Sequence, residues 1–340
     1  MRRGPLLVIT FLAVVGALAA AYALGGQVTR ETIPAASPSP TITPSPEPEG
    51  PRILKAPEDF FIEAMRGHDY PGSAIVTDGV VSDGPGYTKY TIHYESDGLK
   101  ITGLMSVPKR PGPLPAVILN HGFYPVPGYK PGDGTSREMD YLAERGYITV
   151  APDYRSHAGS DEYPDPYLTR DAYAIDILNL QASLAADRRV QKDAIGVWGH
   201  SMGGGNTLKA IAIRPHLFKA AVVYGSMNAD ESQNYRQITT VWNPAYKPEF
   251  DKRFNPTSEV FAKMSASSYF DDFQNPIEIH HGTADSQVPY VWSVDLQKTL
   301  EAKGKPVQFF SYSGAGHIFE AVTWRTFMER VTAFYDRTLR

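Results

Sequence analysis

Ser201, Asp285 and His317 are, by residue type and order, a candidate nucleophile, acid and base. A serine hydroxyl is a weak nucleophile at neutral pH. It needs an imidazole within hydrogen-bond reach, and the imidazole needs a carboxylate to orient it. Ser201 lies in Gly199-His200-Ser201-Met202-Gly203, which fits the pattern G-x-S-x-G. The apolar run Ala194 to Trp198 reads as a buried strand ending at Gly199, and a helix-compatible run resumes from Asn206. Such a tight turn holds the hydroxyl clear of the sheet. Glycines two before and two after the serine let strand and helix pass close together. The helix that follows points its N-terminal amides at the site where negative charge develops.

A five-residue pattern recurs by chance, so the partners carry the weight. The acid is expected in a loop after a later strand, and Asp285 in His280-His281-Gly282-Thr283-Ala284-Asp285 meets that expectation. Capping the next helix is the plainer role for such an aspartate. Asp271, Asp272 and Asp295 are rival acids outside a loop that directly follows a strand. His317 follows the last strand, and the order Ser, Asp, His suits a parallel sheet with its site at the strand ends. The oxyanion hole needs two backbone N–H groups. Met202, directly after the serine, and Phe123, in the loop after Leu119, are the expected donors. Tyr124, His200 and Trp242 are candidate substrate-binding residues. Tyr224, Tyr235 and Tyr246 could line an acyl pocket or simply pack a lid. His280 and His281 are adjacent on a strand and point to opposite faces, so they do not suggest a metal site. Gly203-Gly204-Gly205 lacks the Gly-Lys-Ser/Thr of a phosphate loop. No cofactor is expected.

The elements that must hold these residues alternate strand and helix. Tyr87 to Tyr94 and Leu99 to Val107 flank the turn Ser96-Asp97-Gly98 as an antiparallel hairpin. A strand at Ala116 to Leu119, a helix near Ser136 to Arg145 and a strand at Tyr147 to Ala151 follow. A helix from Thr169 to Ala186, the elbow strand and its helix to Ile213, and a strand from Lys219 to Tyr224 come next. Residues 225–275 break the rhythm as a lid insertion with a helix near Thr257 to Ser267. Ile277 to His280, Tyr290 to Lys303, Val307 to Tyr312 and Ile318 to Leu339 complete the alternation. The fold class is α/β, a mostly parallel sheet with helices on both faces.

The formal net charge of −4 gives no footprint for nucleic acid, and the absence of cysteine excludes disulfides and thiolate catalysis. Met1-Arg2-Arg3 is basic, and Pro5 to Gly26 is uncharged and apolar. Residues 1–26 therefore read as a signal peptide or membrane anchor. The apolar run of about 20 residues is long enough to span a bilayer. Ala21-Tyr22-Ala23 offers a cleavage pattern. Either way the positive end stays inside and the rest is exported. Residues 27–52, rich in Pro, Ser and Thr, form a linker of extended polyproline character. The catalytic domain is expected over 53–340.

From about Tyr87 onward the chain resembles the α/β-hydrolase superfamily, on Gly199-His200-Ser201-Met202-Gly203-Gly204, Asp285 and Gly316-His317. Within it, the chain is most similar to the catalytic domain of the prolyl oligopeptidase family, whose entry hairpin is like Tyr94 to Gly103. The resemblance implies a serine peptidase acting on a peptide or small-molecule acyl substrate. Those peptidases usually carry an N-terminal β-propeller. Here about 35 residues separate linker and first strand, too few for four-stranded blades. Related stand-alone domains are often carboxylesterases, and secreted polyester or acyl-xylan hydrolases look similar. The reading of another class is a non-catalytic binding protein on a hydrolase scaffold.

Overall fold

A computed structural model describes residues 53–165 and 168–340, so the expected leader 1–26 and linker 27–52 lie outside the described residues. A 3-10 turn at Pro57–Phe60 leads into α1 (Ile62–Arg66). The chain then enters β1 (Val76–Asp83), β2 (Tyr87–Ser96) and β3 (Leu99–Pro108), joined antiparallel. The β2–β3 hairpin turns on Asp97 and Gly98, both with positive φ, which matches the twist of the strands they connect. Strand β1 was not expected. All of its residues are exposed, so it has no apolar alternation to betray it.

The parallel part comprises β4 (Leu114–Asn120), α2 (Ser136–Glu144), β5 (Ile148–Pro152), α3 (Thr169–Ala186), β6 (Val190–His200), α4 (Met202–Ile213) and β7 (Ala220–Tyr224). The insertion supplies α5 (Glu231–Gln237), a π turn at Ile238–Trp242, α6 (Lys247–Phe254) and α7 (Ser258–Met264). Then come β8 (Ile277–Gly282), α8 (Tyr290–Ala302), β9 (Val307–Tyr312) and α9 (Ala321–Leu339). Strand order is β1-β2-β3-β5-β4-β6-β7-β8-β9, with β4 through β9 parallel.

Side chains alternate across this sheet, so each strand feeds two cores. Ile118, Val150, Val197 and Val223 face α3, α4 and α8. Val117, Leu119, Trp198 and Val222 face α2 and α9. β6 therefore runs between β4 and β7 with both faces covered, and its carboxyl end is a fixed platform. The insertion holds more helix than expected. It rests on a polar network that ties α5 to α3 and α4: Lys209 Nζ lies 2.7 Å from Asp171 and 3.5 Å from Glu231, and Arg170 reaches Glu231 at 3.1 Å.

Candidate active site

Ser201 stands between the last residue of β6 and the first of α4, with φ +55° and ψ −119°. The helix begins at Met202 rather than at Asn206. A non-glycine residue at positive φ costs of order 1–3 kcal/mol and persists only where its surroundings enforce it. Here the Ser201 N–H donates to the Tyr224 carbonyl at 2.9 Å, and the Ser201 carbonyl accepts from Gly204 and Met227, each at 3.0 Å. The flanking glycines are crowded. A Cβ on Gly199 would sit 2.3 Å from the Gly203 carbonyl oxygen.

Asp285 and His317 meet at the neighbouring strand ends. His317 Nδ1 donates to Asp285 Oδ2 at 2.7 Å. The other carboxylate oxygen accepts from the backbone N–H groups of Gln287 and Val288 at 2.8 and 2.9 Å. Burial pushes the Asp285 carboxyl up, but the hydrogen bonds from His281 and His317 outweigh it and hold the group well below the usual range. The rival acids are engaged or placed elsewhere: Asp271 pairs with Lys303, Asp272 with Arg66, and Asp295 is exposed on α8.

Ser201 lies against Gly122, and the Asp285–His317 pair lies against Gly225, which follows the Tyr224 whose carbonyl accepts from the Ser201 N–H. A Cβ at Gly122 would lie 3.3 Å from the Ser201 Cβ, and one at Gly225 would lie 3.3 Å from His317 Nδ1. Among the described residues no hydrogen bond joins the Ser201 hydroxyl to His317. Catalytic contacts of this kind commonly tighten only with substrate bound. The N–H groups of Met202 and Phe123 likewise have no acceptor among the described residues, as an oxyanion hole requires. The Phe123 side chain is 73% exposed.

His200 is buried. Its ring packs between Tyr224 (4.4 Å) and His317 (4.5 Å), and its Nε2 donates to the His317 carbonyl at 3.1 Å. Burial, then the nearby His317, lowers its pKa to about 3, so it stays neutral. Its place is underneath His317. Tyr224 accepts from the Phe319 N–H at 2.6 Å and steadies the same loop. Tyr124 is half-buried near His121 and Tyr129, with its hydroxyl against Gly134. Trp242 ends the π turn, 40% exposed, and no ring contact or hydrogen bond joins it to Ser201 or His317. Tyr235 and Tyr246 pack on Phe250 inside the insertion.

Two contributors were not foreseen. His121 is buried in a box of Tyr129 and Tyr154, both at 4.5 Å, and donates to the Gly122 carbonyl at 2.7 Å, which fixes the loop carrying Phe123. His281 reaches Asp285 Oδ2 at 3.0 Å, whereas His280 faces Glu278 and Tyr312. The two histidines do point to opposite faces. The signal for His281 was its position at the end of β8, four residues before the acid.

A nine-stranded, mostly parallel sheet with an elbow serine after an interior strand, β6, and an Asp–His pair after two later strands is the α/β-hydrolase fold. Within that fold the chain belongs to the prolyl oligopeptidase family, whose model matches residues 134–340. It is 26% identical over 253 residues to the peptidase YtmA of Bacillus subtilis, covering 72% of this chain and 91% of that protein. It is 29% identical over 161 residues to the cutinase est2 of Thermobifida alba, covering 42% of this chain and 51% of that protein. Among solved structures it is similar to acetyl xylan esterase 1 from Thermoanaerobacterium. That match has a TM-score of 0.62 and 18% identity, over 84% of this chain and 95% of that one. The protein is a serine hydrolase, a peptidase or an esterase.

Proposed function

We propose that Ser201, His317 and Asp285 form the catalytic triad of an exported enzyme that cleaves ester or peptide bonds through an acyl-enzyme. Ser201 Oγ attacks the carbonyl carbon while its proton passes to the free Nε2 of His317. The N–H groups of Met202 and Phe123 hold the oxyanion. The carbon–heteroatom bond then breaks, the leaving group takes the proton from His317, and water releases the acyl group by the same steps in reverse. The observation that carries this reading is the 2.7 Å Asp285–His317 hydrogen bond beside the elbow. Exposed Phe123 and Ile318, next to the oxyanion and base positions, suit an apolar acyl or leaving group.

An active-site serine probe should label the wild type and leave Ser201→Ala unlabelled; labelling of neither sinks the triad. Turnover of short-chain p-nitrophenyl esters against aminoacyl p-nitroanilides then assigns the bond. Fast ester cleavage with negligible anilide cleavage makes the enzyme a carboxylesterase, and clear anilide cleavage makes it a peptidase.

Export and tethering rest on the apolar run from Pro5 to Gly26 and its basic flank. The expected outcome is an intact N-terminus in membrane fractions. Recovery only of a soluble form starting near Leu24 rejects the tether.

A further inference from the structure

Asp285 Oδ2 accepts two hydrogen bonds, one from His317 Nδ1 at 2.7 Å and one from His281 Nε2 at 3.0 Å. The His281 and Asp285 side chains are both almost wholly buried. Because Oδ2 of an ionised carboxylate can only accept, and the Val288 carbonyl oxygen also lies 3.3 Å from Nε2, the tautomer of His281 that fits these partners carries its proton on Nε2. Its Nδ1 then has a lone pair, and the buried Ser293 hydroxyl of α8 donates to it at 2.7 Å. The edge of Tyr290 closes the far side of the ring at 5.6 Å. The tautomer of His281 is thus set by partners on both sides, and its N–H is aimed at the oxygen that also receives the His317 N–H.

We propose that His281 is a positioning residue, whose Nε2–H pins the Asp285 oxygen that orients His317, with Ser293 fixing the tautomer that makes this possible. The inference rests on the reaction proposed above. With one lone pair of Oδ2 taken by His281, the other points at His317, and the carboxylate cannot swing about its terminal torsion. Removing the donor leaves Oδ1 held by the Gln287 and Val288 N–H groups but takes away the second hydrogen bond that fixes Oδ2. It also leaves more negative charge on Oδ2, which favours the protonated form of His317. The other groups facing the pair do not compensate. His200 from β6 stays neutral, and Tyr224 from β7 is held protonated by burial. Tyr290 from α8 packs on His281 rather than on Asp285.

His281→Ala should lower kcat by about 10–100-fold, the loss that follows when the hydrogen-bond partner behind a metal-bound histidine is removed, with little change in KM. The acid limb of the kcat/KM profile should move to higher pH. His281→Gln, which restores an N–H donor of similar reach, should recover most of the rate and return the limb. Ser293→Ala should move the limb in the same direction by less. A limb unmoved in both His281→Ala and Ser293→Ala overturns the positioning role, even if kcat falls. Should His281→Ala not fold, the Gln variant and Ser293→Ala decide between the same outcomes. Ser201→Ala, run alongside, separates the two levels. If it keeps wild-type turnover, the proposed reaction falls and the role of His281 falls with it. If it is inactive while the His281 variants behave as wild type, only the positioning role is lost.

Discussion

A Cβ on Gly203 would lie 2.1 Å from the carbonyl oxygen of Asn120 and 2.6 Å from that of His121, both on the backbone that leads to Phe123. Neither can retreat without moving the loop that carries Phe123. Gly203→Ala should therefore cost more than about 3 kcal/mol, beyond ordinary overpacking. Two residues on, a Cβ at Gly205 meets only the Met227 Cβ at 3.2 Å. Alanine there gains about 0.5–1 kcal/mol of helix preference, and the tight contact offsets part of it. Gly205→Ala should stay within about 1 kcal/mol of wild type. Denaturant midpoints for the pair check this, and equal stability of the two variants would refute it. The sequence pattern could name Gly203 because G-x-S-x-G specifies it. It pointed to Ser201, Asp285 and His317 because each lies in the turn or loop that follows a strand. It could not show that His281 shares an oxygen with His317, because that contact depends on which face of β8 turns toward the loop after β9.

The elements were legible wherever burial imposed a period. The runs at β4, β5, β6, β7 and β8 are buried throughout or nearly so, and each read as a strand from its apolar residues alone. The hairpin β2–β3 was legible from alternation and from Asp97-Gly98. Two kinds of element left no such trace. β1 pairs with β2 through its backbone and is solvent-exposed along its length, so Gly79 and four polar residues were free to interrupt it. Helices α5 and α6 are short and polar, and the contacts that hold them are tertiary. Asp230 gives α5 a local cap on Ser232 N at 2.8 Å, but α5 is fixed by Glu231 meeting Arg170 of α3 and Lys209 of α4, and α6 by Phe250 packing on Tyr235 at 5.0 Å. Of the insertion's helices only α7 was expected. Its Thr257 cap accepts from Val260 N at 3.2 Å, a local signal that a sequence can carry.

Across the whole molecule, the buried titratable groups set how folding responds to acid. Burial lowers the pKa of His121 to about 4 and of His200 to about 3, and lowers those of His157 and His280 as well. An imidazole depressed in the folded state binds its proton only after unfolding, so each of these groups withdraws stability as pH falls below about 6.5. Asp153 works the other way. Burial raises its carboxyl to about 6, against hydrogen bonds from Thr102 and Tyr129, so the folded state holds a proton that the unfolded state releases. Its contribution is to stabilise as pH falls from about 6 toward 4. Burial also raises the Glu138 carboxyl, in the same sense. Four imidazoles outnumber two carboxyls, so unfolding takes up protons on balance. Each net proton is worth about 1.4 kcal/mol per pH unit. Below about pH 4 the carboxyls stop opposing. There the lowered groups Asp285 and Glu231, the latter at about 2, begin to lose their charged partnerships. The denaturation midpoint should fall between pH 7 and pH 5 and fall faster below pH 4. Asp153→Asn removes one opposing proton and should steepen the slope between pH 6 and 4. A midpoint that is constant from pH 7 to 5 in the wild type would mean that these histidines are not held neutral by burial. The neutral His200 beneath His317 and the neutral His121 beneath the loop carrying Phe123 would then both need a different account.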